Sequence, residues 1–200
     1  MKSIISHNTH IYIKELYHDI GPLLHKCSPE IVKTINSIAS PRRQREIVTS
    51  HLMTKEIFGE GVTIEHDASG APIIVGIEGY ISISHSATEI VIAYNRETPI
   101  GIDIENWRDQ LIKIKSRFLS QKEMTIYSTP QLLLQAWTLK EALYKVAMSP
   151  GLSFADDIML PIDSDSHVAK VNTDNGFRDF GIKIIEAYQS HCISLAFPLI

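Results

Sequence analysis

Five residues, Gly101-Ile102-Asp103-Ile104-Glu105, carry the densest chemical signal in the chain. Side chains alternate along an extended strand, so Ile100, Ile102 and Ile104 share one face and Asp103 and Glu105 the other. Their Cα atoms would lie roughly 7 Å apart, and two carboxylates so placed repel unless a cation or a basic side chain sits between them. Oxygen ligands at that spacing suit Mg²⁺. The alternative is a solvated strand face, since exposed carboxylates are common. A third carboxylate, Glu141, lies within Trp137-Thr138-Leu139-Lys140-Glu141-Ala142-Leu143-Tyr144-Lys145, inside a strong helical pattern. Leu132, Ala136, Leu139, Leu143 and Val146 form a core stripe on that helix, and Trp137, Tyr144 and Met148 make its opposite side apolar too. A helix apolar on both sides is buried, so a carboxylate in its midst calls for a metal, a cation or a shifted pKa. Lys145, four residues on, offers the plainer possibility of an i,i+4 ion pair.

Upstream, Ser82-Ile83-Ser84-His85-Ser86 ends a strand with a histidine flanked by hydroxyls, which suits either a phosphate contact or a local turn hydrogen bond. Arg42, Arg43 and Arg45 at a helix start make a compact basic patch, fit to hold phosphate or simply to be solvated. Ser84 and His85 are neighbours on opposite strand faces and no G-x-S-x-G elbow is present, so serine hydrolase chemistry fits poorly. There is no P-loop, G-x-G-x-x-G or H-E-x-x-H. Three carboxylates for a hard cation, with lysines, arginines and a histidine for phosphate oxygens, together indicate metal-assisted phosphoryl chemistry.

These residues must be positioned by an ordinary globular chain of 200 residues, 44% hydrophobic and 21% charged. A net charge of −4 argues against bulk attraction to nucleic acid or to an anionic membrane, so any phosphate site is local. No apolar run approaches the length of a membrane span, and the opening Met1–His7 stretch turns polar before a signal segment could form; a cytoplasmic location is expected. Cys27 and Cys192 are far apart and read as two inert thiols. Ser40-Pro41 opens a helix that runs to near Gly59, and short strands follow at 73–75, 79–84 and 89–94. The second half repeats helix and strand meander: a strand at 100–105, a helix from about Pro130 to Met148, then strands near 157–160, 181–187 and 192–197. The expected class is α+β with mostly antiparallel sheets, built as two similar α/β halves, 1–98 and 99–200, each with a long helix.

In order and spacing these motifs resemble the 4′-phosphopantetheinyl transferase superfamily, in its long, surfactin-synthetase-activating form. Gly101–Glu105 is similar to the family's G-[IV]-D-[IV]-E, residues 137–145 to W-x-x-K-E-A-x-x-K, and Ser84-His85-Ser86 to S-H-S/T. Arg117-Phe118-Leu119-Ser120 through Glu123 resembles r-F-f-s-x-x-E, and Gly151-Leu152-Ser153 the segment after the helix. The resemblance covers about Arg42 to Ile158. It implies that Asp103, Glu105 and Glu141 bind Mg²⁺ on the pyrophosphate of coenzyme A, and that His85, Ser84, Lys140 and Lys145 contact coenzyme A. Arg43, Arg45 and His51 would serve its nucleotide side in the first half. A serine of an apo carrier protein would attack the β-phosphate and 3′,5′-ADP would leave, with Glu141 taking the serine proton directly or through water and Asp103 and Lys145 completing the catalytic set. The family often has G-K-P or G-R-P where Gly70-Ala71-Pro72 stands here, and commonly an arginine where His51 stands. A weaker or pH-dependent grip on coenzyme A would follow. The implied fold is a pseudo-dimer with the site between its halves, hence a monomer, and Lys113, Lys115, Arg117 and Lys122 would meet an acidic carrier helix. Two other readings are a homologue that binds coenzyme A or a carrier without turnover, and an unrelated α+β interaction module.

Overall fold

The computed structural model describes residues 1–199 apart from 69, 164, 165 and 189. The first half runs β1 (Lys2–Ser6), β2 (Thr9–Glu15), α1 (Pro29–Asn36), α2 (Pro41–Phe58), β3 (Thr63–His66), β4 (Pro72–Val75), β5 (Tyr80–His85) and β6 (Glu89–Asn95). The second runs β7 (Gly101–Asn106), α3 (Gln110–Phe118), α4 (Gln121–Ile126), α5 (Pro130–Ala147), β8 (Ile158–Met159), β9 (Val168–Thr173), β10 (Gly176–Tyr188) and β11 (His191–Pro198). One sheet has the order β1-β2-β6-β5 and the other β7-β11-β10-β9-β8, every pairing being antiparallel. The class is therefore α+β, as expected. A strand, a long helix and a hairpin recur with the same neighbours: β2, α2, β5 and β6 give the order β2-β6-β5, and β7, α5, β10 and β11 give β7-β11-β10.

The two long helices start alike. Ser40 and Thr129 accept the N–H groups of Arg43 and Leu132, and each is followed by a proline whose missing N–H costs nothing in the first turn. Alternation then sorts side chains into layers. Ile11, Ile13, Val91, Ala93, Ile102, Ile104, Ile193 and Leu195 form a core between the two sheets. Ile90 and Ile92, one register on, pack with Met53 of α2, while Ala136, Leu139, Ala142 and Leu143 of α5 pack against Phe180, Cys192 and Ala196. The resulting order is helix, sheet, sheet, helix. Met148 does not join the apolar side of α5: the helix ends there in left-handed backbone (φ 51°), and the side chain is 68% exposed.

Strand β7 is the edge of the second sheet, and the face carrying Asp103 lies under α5. Gly101 is what permits this approach, because a Cβ there would sit 1.9 Å from the carbonyl oxygen of Ala142. Gly101→Ala must push the helix off the strand. It is expected to lower unfolding free energy by about 1–3 kcal/mol or more, measured as a drop in the urea midpoint at unchanged slope.

Candidate active site

Two edge strands meet at the site. Ser82 and Ser84 of β5 point at β7, where the Ser82 hydroxyl accepts the Ile102 N–H (3.0 Å) and the Ser84 hydroxyl donates to Asp103 Oδ1 (2.7 Å). Lys145, from the last turn of α5, donates to the same Oδ1 (2.8 Å) and to the Ile102 carbonyl (2.9 Å). The expected i,i+4 partner of Lys145 is thus replaced by a strand carboxylate. Asp103 is 4% exposed, and its second oxygen, Oδ2, is buried without a partner. Glu105 is held in the same way: Oε1 accepts the Trp137 indole N–H (3.2 Å) and a guanidinium N–H of Arg108 (3.1 Å). Trp137 is in turn fixed by the rings of Phe118 and Phe154.

Glu141 makes no hydrogen bond or ion pair among the described residues and is half-buried on α5. Burial, and then the charge of Asp103, push its pKa up to about 7; Glu105 adds to the rise and Lys145 opposes it. Glu105 is raised too, by burial and by Asp103. Asp103, with its orphaned buried oxygen, and the two glutamates whose pKa values its charge raises form a donor set that a hard divalent cation satisfies. Among the described residues they are not drawn together as a ready-made ligand group. Lys145 and Ser84 hold one oxygen of Asp103, Trp137 and Arg108 hold one oxygen of Glu105, and Glu141 makes no hydrogen bond among the described residues. So Mg²⁺ fits the chemistry of the residues, with Asp103 Oδ2, Glu105 and Glu141 as the groups to hold it.

On the other face of β5, His85 lines a cleft between α2, β5 and the β3–β4 hairpin, together with Arg43, Glu46, His51 and His66. Burial lowers the pKa of His85 and of His51, and both rings carry a buried nitrogen without a partner, Nδ1 in His85 and Nε2 in His51. Arg43, His51 and His85 are thus brought into one cleft, as the sequence suggests. Four other expected contacts do not line it; Lys145 is the one already placed on Asp103. Ser84 is on the far face of β5 and spends its hydroxyl on Asp103. Arg45, some 200° around α2 from Arg43, is not among the lining residues. Lys140 is 0% exposed, its ammonium saturated by Glu123 (2.9 Å) and the carbonyls of Phe154 (2.7 Å) and Ile158 (2.6 Å). Glu123 also accepts the N–H groups of Ser120 and Leu160, so Lys140 is a knot joining α4, α5 and the segment after α5, with no proton left for a phosphate.

Two residues at the site carry no separate signal in the sequence: Arg108, which reaches Glu105, and His66, which enters the cleft from the β3–β4 hairpin. Trp137, which heads the 137–145 motif, gives its indole N–H to Glu105, and Glu46, which matches a glutamate of the resembled family's first long helix, sits buried in the cleft wall. Ala71 stands in the β3–β4 turn, its N–H given to Asp67 Oδ1. Lys113, Lys115 and Arg117 on α3 and Lys122 on α4 are exposed. No helix among the described residues is long and apolar enough to cross a membrane.

Residues 99–196 match the family model of the 4′-phosphopantetheinyl transferase superfamily. The chain is also similar to a Bacillus subtilis protein named 4′-phosphopantetheinyl transferase, 32% identical over 120 residues, covering 54% of this chain and 51% of that protein. The chain thus spans about half the length of the curated relative it matches.

Two outcomes follow from this geometry. Lys140→Ala strands a buried carboxylate and is expected to cost about 3–5 kcal/mol of stability in urea unfolding, rather than a selective loss of anion affinity. A selective loss at unchanged stability would return Lys140 to the cleft. In metal-free protein, Glu141 keeps its proton up to about pH 7, whereas the unfolded chain releases it near the ordinary value of 4.5. The unfolded state then holds fewer protons, so this group makes stability fall as pH rises through that window. Glu141→Gln is expected to melt higher than the unmodified protein at pH 7 in EDTA and to flatten the pH slope; an unchanged slope contradicts the shift.

Proposed function

We propose that the chain, whose residues 99–196 match the 4′-phosphopantetheinyl transferase superfamily model, transfers the 4′-phosphopantetheine of coenzyme A to a serine hydroxyl of an apo carrier protein. The observation that carries this reading is Asp103: a carboxylate 4% exposed, one oxygen held from both halves of the chain and the other orphaned beside a glutamate raised to about 7.

Asp103, Glu105 and Glu141 would hold Mg²⁺ beside the co-substrate. When bound, Mg²⁺ supplies positive charge to oxygens on which negative charge builds as the phosphoryl group moves. Lys145 uses two of its three protons on Asp103 and the Ile102 carbonyl, which leaves the third for a phosphate oxygen. His85, Arg43 and His51 bind the phosphates and the nucleotide side from the cleft, His51 taking the place of an arginine and His66 standing near where Ala71 provides no cation. The serine oxygen forms a bond to the β-phosphorus, the bond from that phosphorus to 3′,5′-ADP breaks, and the serine proton passes to Glu141 directly or through a water.

The first half, 1–98, serves the nucleotide and phosphates, and the second, 99–200, carries the metal site and the catalytic helix. The recurrent strand order supports a pseudo-dimer of the long, surfactin-synthetase-activating type, working as a cytoplasmic monomer. The carrier protein docks an acidic helix against the exposed Lys113, Lys115, Arg117 and Lys122.

Asp103→Asn and Glu141→Gln remove ligand charge without removing core volume. Each is expected to lower release of 3′,5′-ADP by about a thousandfold or more and to abolish Mn²⁺ binding seen by electron paramagnetic resonance, with circular dichroism unchanged. Near-normal release by either variant would refute the metal assignment. Coenzyme A binding without release in the unmodified protein would instead favour a binding-only homologue.

A further inference from the structure

The cleft that faces an anionic ligand contains a buried acid. Glu46 on α2 is 5% exposed, and its carboxylate is held by two guanidiniums, Arg42 Nε to Oε1 (2.9 Å) and Arg43 to Oε2 (3.1 Å), with His85 Nε2 3.3 Å from Oε2. A buried carboxylate is costly unless paired, so the partners hold it; equally, it holds them. Arg42 and Arg43 lie in the first turn of α2, at the positive end of the helix dipole, with no acid in that turn to balance them. Both guanidiniums are half-exposed; Arg42 also donates to the Ser86 carbonyl (3.3 Å), and Glu46 is the partner the two share.

Arg43 links this cluster to the histidine. The same NH1 group that meets Glu46 lies 3.2 Å from His85 Nε2. Arginine has only hydrogens to give, so Nε2 is the acceptor and the proton of a neutral ring sits on Nδ1. Arg43 NH1 has two hydrogens and two acceptors, Glu46 Oε2 and His85 Nε2, and so acts as a bridge. Other charge reaching the ring comes from Lys145 of α5.

We propose that Glu46 is a positioning residue for the phosphate-binding cleft: it fixes Arg42 and Arg43 and, through Arg43, the tautomer of His85 before the diphosphate ligand arrives. This rests on the reading that the ligand is coenzyme A. The sign of one substitution decides it, because the charge of Glu46 and its geometry act in opposite directions. Removing a negative charge from an anion site strengthens binding by Coulomb's law alone; removing the anchor weakens it.

The test is calorimetric titration of coenzyme A into unmodified protein, Glu46→Gln and Arg43→Lys, with kcat measured at saturating coenzyme A. Glu46→Gln is expected to bind about tenfold more weakly with kcat within about twofold. In long-range ¹⁵N–¹H spectra its His85 should lose the Nδ1–H pattern of the unmodified protein. Arg43→Lys, on a half-exposed side chain, keeps the charge but loses the rigid planar head that fixes the bridging nitrogen, and is expected to bind about fivefold more weakly. It keeps the test open if Glu46→Gln does not fold. Equal or tighter binding by the folded variants overturns the proposal, as does an unchanged His85 spectrum. Failure of the unmodified protein to bind coenzyme A at all is a different result, and refutes the functional reading on which the proposal stands.

Discussion

Much of this molecule is arranged around one buried carboxylate. Asp103 lies on an edge strand between a sheet and a helix, where an unpaired charge could not persist. It is tolerated because a serine from the first half and a lysine from the second converge on one of its oxygens. The approach of α5 that brings Lys145 into range requires Gly101, and the approach of β5 that brings Ser84 requires Ser82 to take the Ile102 N–H in place of a neighbouring strand. Covalent continuity does not dictate this junction; polar satisfaction at a sheet edge does.

Strand β5 divides the chemistry into two sides. Its alternation sends Ser84 toward the carboxylates and His85 toward the cleft, so two adjacent residues serve an acidic site and a basic site on opposite faces. A ligand with a pyrophosphate has reason to touch both, its negative charge meeting Arg43 and His85 on one side and the cation-demanding acids on the other. The raised pKa of Glu141 belongs to the same design: the repulsion that makes the acids poor neighbours in the metal-free protein is what a divalent cation relieves.

The strong periodic signals in the sequence translate directly into structure. The α2 and α5 helices, the strands from β4 to β7, and the shared face of Asp103 and Glu105 all follow from caps, prolines and alternation. Other parts are not legible for identifiable reasons. The β1–β2 hairpin turns through His7 and Asn8, both at positive φ, a conformation that histidine does not advertise. Lys140 sits beside Glu141 in the motif, yet one step is 100° around a helix, enough to carry the lysine into the core and leave the glutamate at the site. Arg43 and Arg45 are parted by two such steps, about 200°. Met148 looks apolar in a helical projection but lies where the helix has already ended. Residue type and spacing thus reveal which groups could act, while rotation about the helix axis decides which of them reach the site.

The most direct test of the account is intact-mass spectrometry of a panel of apo carrier proteins incubated with this protein, coenzyme A and Mg²⁺, with parallel samples in EDTA. The account predicts a gain of one phosphopantetheine on at least one carrier, absent in EDTA. A gain that persists without metal would contradict the role given to Asp103, Glu105 and Glu141, and no gain on any carrier would contradict the transfer itself.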